Sequence, residues 1–208
     1  MKVNPAPLHL AQTVITGLVV TMSLAIVGTA GHTLDVFNKQ QSSNPWWLPL
    51  WRDHFDVHGT KGLIASSVVT LVLGSVFLVL SAVPKFNLAG RPTLRALAAI
   101  GSSAPSAVLC LATIIYAFVL NNDAPELDTI QTWTCKYKNG RPLQQDMAMT
   151  TNMGNSDFGR LCHESKFALY GTLVVFLMLI LSTSLGVVGW CADKWAARQT
   201  RKEMETAS

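Results

Sequence analysis

The chain has 208 residues, of which 50% are hydrophobic and 13% are charged, and its formal net charge is +4. Because a soluble domain usually carries about a quarter charged residues, this composition argues against a soluble globular protein. The basic residues lie beside long apolar stretches, where they set orientation in a membrane, so we expect no nucleic-acid partner.

Four stretches contain no Asp, Glu, Lys or Arg, and each has at least 22 residues: 10–31, 62–83, 96–120 and 167–192. A hydrocarbon core about 30 Å thick needs about 20 helical residues. Lipid also favours helices, because the backbone there must satisfy its own hydrogen bonds. The sequence therefore predicts an all-α, four-helix transmembrane bundle, with residues 1–208 forming a single domain and with loops 32–61 and 121–166 on the outer side.

The first stretch also allows a second interpretation. Gly28 and Ala30 are small residues at the spacing of a signal-peptidase site, which would cleave after Ala30. Against cleavage, the apolar run is long, and Lys2 is the only charge before it. We expect the first stretch to remain as a span.

The first predicted outer loop combines two prolines with three tryptophans, in the order Pro45, Trp46, Trp47, Pro49 and Trp51. Such an apolar element is unfavourable in water, so it is expected to pack on the rim of the bundle, lie among lipid headgroups or bind a partner. The tryptophans are therefore candidate interface residues.

A polar cluster follows directly, formed by Asp53, His54, Asp56 and His58. If this segment is helical, the two histidines share a face, as the first two ligands of a helical zinc site do. A third ligand is not evident, although His32, Asp35 and His163 occur elsewhere, so we expect neither a metal nor a cofactor. The alternative is a polar approach to the second span, with the acids favouring its helix dipole.

The third stretch contains Pro105, which frees a backbone carbonyl and is expected to kink the helix, with neighbouring serines able to bind that carbonyl. None of the four stretches has a charged residue or a histidine in its middle. Because proton relays and ion-coupled transporters depend on such groups, this absence argues against transport or catalysis within the bilayer.

Cys135 and Cys162 lie in the second predicted outer loop, which would face an oxidising compartment. We expect them to form a disulfide that closes 26 intervening residues, since a metal or redox pair would need closer CxxC-type spacing. The other two cysteines, Cys110 and Cys191, lie within or at the edge of spans and are expected to be reduced.

Basic residues predict the orientation. The connection 84–95 and the tail after the last stretch carry them at the ends of spans, which is typical of cytoplasmic segments: Lys85, Arg91, Arg95, Lys194, Arg198, Arg201 and Lys202. The sequence therefore places both termini in the cytoplasm and both long loops outside it, in the plasma membrane or a secretory-pathway membrane.

Two short elements resemble parts of four-pass MARVEL-like membrane proteins, fungal members especially: Gly159-Arg160-Leu161-Cys162 followed by Ala168, and the element from Trp47 to Asp56. The resemblance implies membrane apposition, domain organisation or trafficking, and no catalytic residue is carried over. Claudin-type proteins also have a Leu-Trp in the first outer loop, here Leu50-Trp51, but follow it with two cysteines that this loop lacks.

These patterns favour a membrane-organising or trafficking component whose partners are the lipid bilayer, other membrane proteins or further copies of the chain. The alternative is a small membrane-bound enzyme, or an accessory protein for a hydrophobic metabolite, that uses the polar cluster at the outer rim.

The topology predicts that Gly90 and Gln145 lie on opposite faces of the membrane, because one span separates their segments. Glycosylation acceptor sites inserted at the two positions should be modified at 145 and remain unmodified at 90. Modification or protease protection of both positions alike would contradict four complete crossings.

Overall fold

The computed structural model describes residues 6–42, 55–83, 92–124, 127–139 and 157–207, leaving aside the side chains of 92, 200–203 and 205–207. Its long helices are α1 (Ala6–Ser42), α2 (His58–Ala82), α3 (Pro92–Asn122) and α5 (Phe158–Ala207). The short elements are strand β1 (Phe55–Asp56), strand β2 (Asp128–Thr129) and helix α4 (Ile130–Tyr137). The predicted all-α, four-helix architecture is confirmed.

Within the described residues, four helices are long and apolar enough to cross a membrane: Ala6–Ser42, His58–Ala82, Thr93–Asn122 and Phe158–Gln199. Each contains one uncharged stretch almost entirely. The chain is a multi-pass membrane protein.

The helices are longer than the uncharged stretches within them. Helix α1 continues for 11 residues beyond residue 31, and α5, with 50 residues, is about 75 Å long. The segments predicted as loops 32–61 and 121–166 are therefore helical in part, at residues 32–42, 58–61, 121–122, 130–137 and 158–166. The prediction ended each span where its apolar run ended, whereas a helix needs no apolar sequence once it has left the lipid.

The chain divides into two compact units, and each long helix contributes to both. The first, which we call the termini unit, comprises Met1–Met22, Val69–Val108 and Val175–Ser208. The second, the disulfide unit, comprises Ser23–Val68 and Leu109–Val174.

Many small polar side chains are buried and many large apolar ones are exposed, which is unusual in a soluble protein. In α2, Ser66, Ser67 and Thr70 are buried, while Val72 and Val76 are half exposed. Membrane bundles pack in this way because lipid solvates large apolar side chains, whereas small residues let the helix backbones approach. The burial pattern supports a lipid environment independently of the hydropathy of the sequence.

Hydroxyl groups are satisfied mostly within their own helices. Thr16 donates to the carbonyl of Gln12, and Thr172 to that of Ala168. Near Pro105, the hydroxyls of Ser102, Ser103 and Ser106 donate to the carbonyls of Ala99 and Ser102. Pro105 has no N–H to donate to the carbonyl of Gly101 four residues earlier. None of the three serine hydroxyls donates to that carbonyl in its place.

Glycines permit close helix contacts in each unit. In the termini unit, a Cβ atom at Gly74 of α2 would lie 2.8 Å from Cγ2 of Val20 in α1. In the disulfide unit, a Cβ atom at Gly171 of α5 would lie 3.2 Å from Cγ1 of Ile26 in α1. Helix α1 thus packs against a glycine in both units.

We predict that Gly74→Ala lowers the free energy of unfolding by about 1–2 kcal/mol, because the added methyl forces Val20 to move. The matched control is Gly28→Ala, where the added methyl meets no atom within 4 Å. Unfolding in detergent measures both variants. Equal stability of the two would contradict the close α1–α2 contact.

Candidate functional site

A small folded layer occupies one end of the disulfide unit. Strands β1 and β2 pair in parallel, with Phe55 opposite Asp128 and Asp56 opposite Thr129. Helix α4 begins directly after β2 with a capping box, in which Thr129 and Thr132 each accept the other's backbone N–H through their side chains. We call β1, β2, α4 and the adjoining residues 34–42 of α1 and 158–162 of α5 the cap.

The cap has an apolar core of its own. Phe37, Ile130, Phe158 and Leu161 are buried together, with Phe55 and Trp133 packed against them. The Phe37 and Phe55 rings stack with centroids 5.3 Å apart, and Trp133 meets Phe55 edge-on at 6.1 Å. Large aromatic side chains hold this core together, as they do in a soluble domain.

The predicted disulfide is present and joins the cap to the last transmembrane helix. Cys135 of α4 is bonded to Cys162 of α5, with their Cα atoms 4.8 Å apart. Closing a loop of this length stabilises the folded chain by about 3–4 kcal/mol in the loop-entropy account. Cys110, which is buried, and Cys191, which is exposed, are not disulfide-bonded.

The predicted polar cluster is only partly placed. Trp46, Trp47, Trp51, Asp53 and His54 lie outside the described residues, as does the Met-rich part of the second loop. Asp56 and His58 are in contact. The Asp56 carboxylate accepts the backbone N–H of His58 at 2.6 Å and lies 3.1 Å from its Nδ1 atom.

This geometry gives Asp56 the role of capping the start of α2. Residues 55 and 56 form a strand and the helix begins at His58. His54 lies outside the described residues, so a face shared by the two histidines stays a prediction. The described ranges contain no group of three or more His, Cys, Asp or Glu residues that could hold a metal ion.

An ion cluster links α1 to α5 beside the cap. The Nδ1 atom of His32 donates to Oε2 of Glu164 at 2.6 Å, and Nε of Arg160 donates to Oε1 at 2.8 Å. Burial alone would raise the pKa of Glu164, but hydrogen bonds from His32 and Arg160 outweigh it, so its pKa is lowered. Glu164 is therefore a carboxylate held between two donors.

A second histidine–carboxylate pair joins the same two helices in the termini unit. Nε2 of His9 lies 3.4 Å from the Asp193 carboxylate, and the Arg95 guanidinium of α3 donates to the carbonyl of His9 at 3.2 Å. All three residues lie next to the ends of uncharged stretches. A histidine–carboxylate pair therefore joins α1 to α5 in each unit.

A central crevice opens in the disulfide unit between all four long helices, β2 and α4. About 390 Å³ of space lies in and in front of it, open solvent included, of which the part accessible to solvent inside has room for about one water molecule. The described lining residues are Ala30, Thr33, Gly59, Thr60, Leu63, Ala117, Leu120, Asn121, Thr129, Gln131, Ser165 and Ala168.

Polar side chains of the crevice form a directed chain of hydrogen bonds. The Thr129 hydroxyl donates to Oδ1 of Asn121 at 2.7 Å, and Nδ2 of Asn121 donates to Oε1 of Gln131 at 3.2 Å. The amide nitrogen of Gln131 is the donating end of this chain. The crevice thus presents fixed hydrogen-bonding groups over an apolar floor.

Sequence reasoning missed the ion pairs and the crevice. The sequence contained one usable signal for the pairs: His9 and His32 flank the first uncharged stretch, and Glu164 and Asp193 lie just outside the last one. In an antiparallel helix pair, His9 comes to lie beside Asp193 and His32 beside Glu164. The crevice has no comparable signal, because six elements contribute to it.

Comparison of the chain with protein-family models, curated proteins and solved structures returned no significant match.

We predict that Glu164→Gln lowers the free energy of unfolding at pH 7 by about 1–2 kcal/mol, because it weakens two charge-assisted hydrogen bonds. A lowered folded-state pKa means that wild-type Glu164 contributes stability above its unfolded pKa of about 4.3 and loses it as the pH falls through the folded value. The free energy of unfolding of the variant should therefore change less than that of the wild type as the pH falls from 7.

Asp35→Asn is the control, since the Asp35–Lys39 pair on α1 is largely exposed. It should change stability by less than about 0.5 kcal/mol. An equal effect of the two substitutions at pH 7 would contradict a special role of the His32–Glu164 contact.

Proposed function

We propose that this protein organises membrane partners by presenting the cap as a rigid contact surface. The observation that carries the proposal is the cap itself, which has a buried aromatic core, a strand pair and a disulfide to α5. Rigid surfaces bind with a smaller entropic cost than mobile loops do. A scaffold that binds other membrane proteins, or further copies of itself, would use such a surface.

The location of the titratable groups supports a scaffold over a transporter. Within the uncharged stretches the chain has no acid or base, and His9, His32, Glu164 and Asp193 lie beyond their ends. Ion-coupled transport requires ionisable groups at depth. These pairs instead join α1 to α5, which is a structural use of charge.

The disulfide and the basic residues support a more specific version of the proposal. In it the cap faces the oxidising side of the plasma membrane or of a secretory-pathway membrane, and both termini face the cytoplasm. The MARVEL-like elements fit membrane apposition or trafficking in such a membrane. Residues 159–162, which form one of them, belong to the cap.

Single-molecule tracking of a fluorescent fusion tests the proposal in living membranes. The wild type should form slowly diffusing clusters, and Tyr137→Ser, which removes an exposed aromatic ring from the cap, should reduce the clustered fraction several-fold. Trp195→Ser is the matched control, because Trp195 is an exposed aromatic residue of the termini unit. Free diffusion of the wild type, or equal effects of the two substitutions, would count against the proposal.

The enzyme alternative is separated by the double variant His54→Ala/His58→Ala. A scaffold should keep its clusters and leave the cell's metabolites unchanged. Loss of a chemical product, with folding and localisation kept, would favour a membrane-bound enzyme or an accessory protein acting on a hydrophobic metabolite.

A further inference from the structure

We propose that the central crevice binds the hydroxyl headgroup of an uncharged membrane lipid. This inference concerns the inside of the disulfide unit and does not rest on the cap acting as a contact surface. It follows from the depth, the charge, the hydrogen-bonding groups and the size of the crevice.

The lining changes from apolar to polar at the predicted edge of the hydrocarbon core. Its apolar floor comes from residues inside the uncharged stretches: Ala30, Leu63, Ala117, Leu120 and Ala168. The remaining lining residues, among them Thr33, Asn121 and Ser165, all lie outside those stretches. A site at this depth suits a molecule with an apolar body and a polar end.

None of the described lining residues is charged. A phosphate or carboxylate in the crevice would lose its hydration without gaining a cationic partner, which is costly in a confined site. The nearby ion cluster does not alter this, because the Arg160 side chain is already bonded to Glu164. The site therefore favours a neutral headgroup.

The hydrogen-bonding groups are complementary to a hydroxyl. The hydroxyl of Ser165 donates to backbone carbonyls of its own helix, so toward the crevice its oxygen acts as an acceptor. The side-chain amide nitrogen of Gln131, whose oxygen accepts from Asn121, supplies a donor. An alcohol both donates and accepts, whereas an ester or ether oxygen only accepts.

The inner space limits how much of the lipid enters. Room for about one water molecule is enough for the hydroxyl oxygen alone, so the carbon that carries it and the rest of the lipid stay outside the enclosed space. The hydrocarbon body would remain among the lipid-facing helices. Diacylglycerol, ceramide and sterol share this chemistry.

The test uses the purified full-length chain in phosphatidylcholine nanodiscs that contain one of these three lipids, and measures lipid affinity by equilibrium binding and the unfolding temperature. We expect at least one of them to bind and raise the unfolding temperature, and the tightest binder identifies the source. The same lipid with its hydroxyl acetylated should bind about tenfold more weakly, as expected when the donated hydrogen bond is lost.

Ser165→Ala removes an acceptor from the crevice and should weaken binding about five- to tenfold. Ser106→Ala is the matched control, because Ser106 is also buried and bonded to its own helix but is not among the described lining residues. It should leave affinity unchanged. Gln131→Leu, at a half-buried position, provides a second test if Ser165→Ala folds poorly.

Four results would each overturn the proposal. These are no binding of any of the three lipids, equal binding of the acetylated form, tighter binding of phosphatidic acid, and equal loss of affinity in Ser165→Ala and Ser106→Ala.

Discussion

Lipid offers no hydrogen-bonding partner to the backbone and little drive for apolar side chains to leave it, and most of this structure follows from that constraint. Helices are then the favoured spanning form, and they associate where small side chains allow contact. Gly74 and Gly171 bring two helices against α1, and buried residues such as Thr16 and Thr172 bond to their own backbones. Many valine and leucine side chains, which would fill the core of a soluble protein, are exposed here, although others such as Val19 and Leu169 are buried.

The rule reverses where the helices leave the lipid. In the same helix α5, Ala168 and Thr172 are buried within the span, whereas Phe158 and Leu161 are buried in the cap. Water at that end restores the hydrophobic effect, so bulky side chains collect inside. The cap can therefore hold together as a small domain on the ends of two long helices, with the disulfide limiting the unfolded alternatives that compete with it.

The sequence was sufficient to predict the four spanning helices and the disulfide, because absence of charge over 22 or more residues and cysteine placement are local, strong signals. It did not predict the cap. Strands β1 and β2 have two residues each, too few for an alternation of apolar and polar residues to be recognised. The His32–Glu164 contact joins residues 132 positions apart, and the crevice depends on six elements meeting. Such long-range arrangements have no local pattern.

The disulfide has a consequence for the chain between its two cysteines. Since the Cα atoms of Cys135 and Cys162 are held 4.8 Å apart, the disulfide fixes the distance between the two ends of the intervening chain, whose last residues, among them Phe158 and Leu161, belong to the cap core. Loop-closure entropy grows only with the logarithm of length. Residues inserted between Asn139 and Asp157, or even a grafted module, should therefore add little thermodynamic penalty, whereas replacing Phe158 or Leu161 would remove part of the core.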